Sequence, residues 1–140
     1  METTVMVERV FVDTSAIYAY INAKDPDHDR IKGFLNGFEG ELLTSNFIFD
    51  EIITLVLARI GHDQAVLTGQ VLLNPNIFIM IRVGLSDERN AWDLFLNRQD
   101  KTYSFTDCTS FVIMKKMDII KSLAIDPHFQ QEGFQDATLI

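Results

Sequence analysis

Basic residues are scarce in this chain. Twelve Lys and Arg stand against twenty Asp and Glu, a formal charge of −8 over 140 residues, which argues against passive binding of a polyanion through a basic surface. A phosphate-handling activity would therefore need divalent cations or a local basic patch. The single cysteine, Cys108, excludes an intramolecular disulfide and a paired-cysteine metal site, and it suits a reducing compartment. No glycine-rich loop follows any predicted strand, so phosphate-loop and dinucleotide-binding readings fail. Repeats, low-complexity tracts and linkers are absent as well. The apolar stretches near Phe47 and Leu72 are broken by Asp50, Glu51, Pro75 and Arg82, too soon for a membrane span. At the start, METTVMVERVF carries acids where a secretory leader would carry bases. The expectation is a soluble cytoplasmic protein with one domain over residues 1–140, whose 47% apolar content and 11 Phe can build a core.

What is present reads as strands alternating with helices or helix pairs. Val10 to Val12 make a short buried strand, and Thr14 is placed to cap the helix after it. Ile31, Phe34, Leu35 and Phe38 recur at helical spacing behind an acidic entry. Glu41 to Thr44 predict a second strand. Asn46 then offers a cap for a helix with Ile48, Ile52, Leu55 and Val56 on one face, stopping at Gly61. A helix over about Asp63 to Leu73 ends before Asn74-Pro75. IFIMIRV, Ile77 to Val83, is the clearest strand. Ser86 is placed to cap a helix with Trp92, Phe95 and Leu96 inward, and Thr106 another with Phe111 and Met114 inward. Ile119 to Ile125 completes the series as a strand before Asp126-Pro127. This order predicts a three-layer α/β/α sandwich around a parallel sheet of four to five strands.

Acids then gather where such a sheet places function, beyond the carboxyl ends of its strands. Asp13 ends the first strand and Asp126 the last; Glu51 and Asp107 lie in the early turns of two helices. Each has an ordinary structural explanation. Asp13 fits a helix cap or a metal ligand, Asp107 a helix dipole, and Asp126 before Pro127 a turn. Glu51 sits at the border of the Ile48, Ile52 and Leu55 stripe, where a carboxylate needs a partner, whereas Asp50 points about 100° away toward solvent.

Four stretches in order, FVDTSAIYAYI, LLTSNFIFDEIITLVLARIG, SFTDCTSFVIMKKMDI and LAIDPHFQQEGF, resemble the PIN-domain nucleases over nearly the whole chain, in particular the VapC-type toxins of toxin–antitoxin pairs. The resemblance implies a Mg²⁺ site, with Mn²⁺ a possible substitute, built from Asp13, Glu51, Asp107 and Asp126. Asp13 and Asp107 are the implied direct ligands, Glu51 completes or tunes the site, and Asp126 binds a second ion or positions water. The implied reaction is RNA phosphodiester hydrolysis leaving a 5′-phosphate and a 3′-hydroxyl. A homodimer and a cognate antitoxin are implied partners. Thr14, Asn46 and Thr106 fill the family's polar positions beside the acids and also suit helix caps.

The remaining polar residues take structural readings. His28 belongs to a solvated helix entry, His62 to the surface, and His128 to a closing segment explained by packing and a turn. Lys115, Lys116 and Lys121 form an exposed flank, and Cys108 is a small core residue. A non-catalytic PIN-fold binding module is the rival from another class. A haloacid-dehalogenase-type phosphotransferase would want a second Asp two residues after Asp13, where Ser15 stands.

Overall fold

The computed structural model describes residues 7–139. The segment read above for its acidic start, residues 1–6, lies outside them, as does residue 140. Among the described residues, five parallel strands and seven helices follow one another: β1 (Arg9–Val12), α1 (Thr14–Ile21), α2 (His28–Gly37), β2 (Glu41–Ser45), α3 (Asn46–Arg59), α4 (His62–Leu72), β3 (Phe78–Ile81), α5 (Leu85–Asn97), α6 (Phe105–Lys116), β4 (Lys121–Leu123), α7 (His128–Gln131) and β5 (Gln135–Asp136). The strand order is β3-β2-β1-β4-β5, so the chain winds outward one way from β1 and then the other. β1 pairs Phe11 with Leu43 of β2 and with Ser122 of β4. The sheet is the middle layer of the three-layer α/β/α sandwich expected from the sequence.

Parallel strands covered on both faces need unbroken apolar side chains, and Val10, Phe11 and Val12 are buried accordingly. Ile48, Ile52 and Val56 give α3 the buried stripe its spacing predicted, with Asp50 exposed. Gly61, at φ 136°, adopts a backbone conformation that side chains resist, and this turns the chain from α3 into α4. Phe111 meets Phe129 edge-on with ring centroids 4.9 Å apart, and Phe129 stacks on Phe11 of β1 at 6.4 Å. That aromatic cluster anchors the short helix α7.

Several local expectations need correction. Thr14, Asn46, Ser86 and Thr106 cap nothing. Asp13, Ser45, Gly84 and Ser104 are the N-cap residues of α1, α3, α5 and α6, each one or two residues earlier because the strand or loop before the helix ends sooner. The inward face of α5 is Asp87 and Ala91; Trp92, Phe95 and Leu96 are exposed, with Trp92 and Phe95 stacked on each other at 5.7 Å. β3 and β4 are shorter than the apolar runs that announced them, because hydrogen-bonded register, not hydrophobicity, sets strand length. The fifth strand, Gln135–Asp136, falls in a polar segment with no strand pattern. No helix among the described residues is long and apolar enough to cross a membrane.

Candidate active site

β1 and β4 lie side by side where the winding reverses, the place at which parallel sheets open a crevice beyond their carboxyl ends. Asp13 follows β1 directly, and its amide donates to the Leu123 carbonyl of β4 at 2.9 Å. Its side chain caps α1: Oδ2 accepts from the Ser15 amide at 3.2 Å and from Ser15 Oγ at 2.7 Å. The Ser15 hydroxyl in turn accepts from the Ile125 amide at 2.9 Å, tying the loop after β4 to the head of α1. Capping therefore occupies one oxygen of Asp13. The other, Oδ1, is buried and has no hydrogen-bond partner, as is the neighbouring Thr14 hydroxyl. A buried carboxylate oxygen left without a donor is costly, and an oxygen-seeking cation would relieve it.

Asp107, in the first turn of α6, likewise performs two tasks. Ser104 Oγ accepts from the Asp107 amide and Asp107 Oδ2 accepts from the Ser104 amide, both at 3.0 Å, closing a reciprocal cap. The same Oδ2 lies 2.8 Å from His128 Nδ1. Asp126 makes a turn in which Oδ1 accepts from the His128 amide at 3.1 Å. As a result Asp107, Asp126 and His128 each offer one ligand-capable atom, all within 4.8 Å of one another. His128 is placed there by the aromatic core, since Phe129 is buried beside it and Tyr103 meets its ring edge-on at 5.4 Å.

A cleft of about 400 Å³ opens at this sheet edge, and Asp13, Glu51, Asp107 and Asp126 all line it. Glu51 reaches it from the second turn of α3, half-buried, and stands outside the tight Asp107–Asp126–His128 group. The four acids named from sequence therefore share one cavity. The packing reading of His128 is incomplete, because its Nδ1 touches Asp107 and its Nε2 lies 3.2 Å from Thr102 Oγ1. Ser15 and Ser104 were missed as organisers of Asp13 and Asp107; the signal available was a hydroxyl two residues after one acid and three before the other. Among the polar neighbours, Thr14 lines the cleft. Asn46 instead accepts the Val83 amide at 2.7 Å, pinning the chain after β3 to α3. The Thr106 carbonyl takes the Thr109 and Ser110 hydroxyls within α6.

The field in the cleft is set by crowding. Burial pushes Asp13 up to about 7 against the pull of Ser15, and the carboxylates of Asp126 and Asp107 add to the rise. Burial also raises Asp107, with Asp126 adding to it, although the Ser104 amide and His128 pull the other way. A donor set of hard carboxylate oxygens, one of them orphaned and two held above their usual range, fits Mg²⁺ or Mn²⁺. The lysines stay out of the cleft: Lys115 pairs with Glu132, Lys116 with Asp87 and Lys121 with Glu8.

Over residues 10–131 the chain matches the family profile described as PIN domain. The chain belongs to the PIN-domain family. It is 34% identical over 125 residues to the 23S rRNA-specific endonuclease VapC20 of Mycobacterium tuberculosis, covering 89% of this chain and 95% of that protein. Ribonuclease VapC26 of the same organism is 23% identical over 117 residues, covering 84% of this chain and 86% of its own. The crystal structure of Mycobacterium tuberculosis VapC20, described as a sarcin–ricin loop cleaving toxin, aligns with a TM-score of 0.86 at 32% identity, over 91% of this chain and 97% of that one.

Proposed function

We propose that this chain is a divalent-metal-dependent endoribonuclease, the toxin of a toxin–antitoxin pair, and that it cuts a structured ribosomal RNA loop. The observation that carries the reading is the convergence of Asp13, Glu51, Asp107 and Asp126 on one cleft, with a buried oxygen of Asp13 unpartnered. Likeness to a 23S rRNA-specific endonuclease supports the choice of RNA.

Asp13, Asp107, Glu51 and Asp126 would hold Mg²⁺, with Mn²⁺ as substitute, and the ion would supply an acidified water and stabilise the leaving oxygen. Ser15 and Ser104 hold Asp13 and Asp107 by their Oδ2 atoms, which fixes the two carboxylates and leaves the Oδ1 of each outside these bonds. His128 Nδ1 steadies Asp107 at the same Oδ2. Asp126, more open than the other two aspartates, is suited to orient water or a second cation. Hydrolysis of the strand leaves a 5′-phosphate and a 3′-hydroxyl. A homodimer and an antitoxin that covers the acids complete the proposal, which sets this soluble enzyme in the cytoplasm.

The test is cleavage of intact ribosomes and of a sarcin–ricin stem–loop by the purified protein with Mg²⁺, Mn²⁺ or a chelator, with the new RNA ends sequenced. Metal-dependent cutting at one position, lost in Asp107→Asn, is the expected result. Metal-independent cutting, or none on any RNA, would overturn the reading.

A further inference from the structure

The acid cleft contains one arginine. Arg59 is the only Lys or Arg lining it among the described residues. Glu51, Leu55 and Arg59 recur every four residues along α3, and all three line the cleft. Eight residues of helix separate Glu51 from Arg59, about 12 Å along the axis. The cleft therefore joins the acids of the sheet edge to one basic side chain rooted about two turns further along α3.

Arg59 is held in place without being neutralised. Its guanidinium lies over the Tyr18 ring, 5.2 Å from the centroid. Among the described residues it joins no ion pair, although Asp25 and Glu51 share the cleft with it. Asp25 is turned into its own loop, where Oδ1 accepts the Asp27 amide at 2.9 Å. With no carboxylate on it, the guanidinium keeps N–H groups for a second partner, and their fork matches two oxygens of a phosphate.

Resting on the nuclease reading, we propose that Arg59 binds a backbone phosphate flanking the scissile bond, and that Tyr18 is the positioning residue that presents it. The scissile phosphate belongs with the acids and their cation. Rooted about 12 Å along α3 from Glu51, Arg59 is better placed for a neighbouring phosphate of the same strand than for the one at the acids. In a chain of formal charge −8, this single basic group fixes the direction in which the RNA crosses the acids. The competing explanation is that Arg59, in the last turn of α3, only complements the helix end. The two differ in measurable ways, and because Arg59 is exposed its replacement leaves the core intact.

The experiment compares wild type with Arg59→Ala, Arg59→Lys, Tyr18→Phe and Tyr18→Leu on a sarcin–ricin stem–loop with Mg²⁺. In Arg59→Ala we expect KM to rise about tenfold with kcat within about twofold, and the slope of log affinity against log salt to shrink by about 0.7 to 1. Arg59→Lys recovers the slope but only part of KM, Tyr18→Phe behaves as wild type, and Tyr18→Leu follows Arg59→Ala. Single methylphosphonates placed along the strand should include one neighbouring position that brings wild type to the Arg59→Ala level and leaves that variant unchanged. Unaltered KM and salt slope in Arg59→Ala would overturn the proposal. So would a loss confined to thermal stability and fully restored by lysine, the mark of the helix-end role. RNA binding is also measured by anisotropy in a Glu51→Gln background, with and without Arg59→Ala. Absence of cleavage in wild type then refutes the nuclease reading, while the salt slope decides the phosphate contact separately.

Discussion

Glu132 and Asp13 both carry nearly buried carboxylates, and their surroundings differ in kind. Glu132 ties together the ends of three helices. It accepts Arg98 Nε and Nη2 of the residue closing α5 at 3.0 Å each, Lys115 of α6 at 3.0 Å, and the Tyr103 hydroxyl at 3.2 Å. Burial raises its pKa, but the Arg98 and Lys115 hydrogen bonds outweigh burial and leave it below the usual glutamate range. Asp13 has two short contacts to Ser15, an orphaned oxygen and two neighbouring carboxylates, and it is pushed up to about 7. One region spends its charges on holding helices together. The other keeps charge uncompensated, a local cost that a scaffold tolerates where a cation and an anionic substrate are to meet. Asp87 follows Glu132: the Gly84 amide, and then Lys116, hold it below the usual aspartate range despite burial.

The sharpest way to break the contrast is to remove one charge from each region and read both activity and stability. Asp107→Asn and Glu51→Gln should each lower RNA cleavage by roughly 100- to 1,000-fold, the scale of losing one preorganised group that stabilises developing charge, with little change in fold by circular dichroism. Glu132→Ala should instead cost about 2 kcal/mol of unfolding free energy in urea, less than a fully buried ion pair would, because Arg98 and Lys115 can rehydrate. Its remaining folded fraction should still cleave. A stable, inactive Glu132→Ala would erase the distinction between the two regions.

Acid titration sharpens it further. A carboxyl raised in the folded state holds its proton longer than the unfolded chain does, so Asp13 costs stability as pH climbs from about 4 toward 7, and Asp107, also raised, acts in the same direction. Glu132 and Asp87 work in the opposite sense. Their contribution is present above about 4.5 and is lost as pH falls through their lowered folded values. In chelator, urea unfolding should therefore show a stability maximum on the acid side of neutrality. Asp13→Asn should raise stability at pH 7.5 by about 1 to 3 kcal/mol and hardly change it at pH 4.5. Mg²⁺ should flatten the slope in wild type and release protons as it binds. An Asp13→Asn gain that is equal at both pH values would mean that the cleft carries no such repulsion.

Smaller effects should mark the edges of the cleft. His128→Gln, which loses the contact to Asp107 Oδ2, should slow cleavage by about 10- to 100-fold, as removal of a group orienting a ligand does. Its thermal response to Mg²⁺ should weaken without vanishing. Asp50→Asn, one residue from Glu51 and exposed, should stay within about 0.5 kcal/mol in stability and near wild type in activity. A large loss there would put the wrong face of α3 toward the cleft.

Much of this was legible in one dimension. Val10–Val12 announced β1, the Ile48–Ile52–Val56 spacing set the phase of α3 and hence the side of Glu51, and Gly61 marked where that helix stops, because each depends on local backbone chemistry and on which face is apolar. The acids that strand ends and helix starts deliver to one sheet edge, Asp13, Glu51, Asp107 and Asp126, could be named because parallel topology brings those ends together whatever lies between them. Contacts that span large separations could not. Ser15 reaching the Ile125 amide, His128 turning onto Asp107, Arg98 and Lys115 meeting on Glu132, and Arg59 lying over Tyr18 join residues whose positions along the chain carry no mark of one another. The exposed Trp92–Phe95 pair and the polar β5 are of the same kind. Periodicity determines that a helix has an apolar face or that a strand can form, but only the packed tertiary structure decides which faces are covered, which edges are paired and which buried charges find partners.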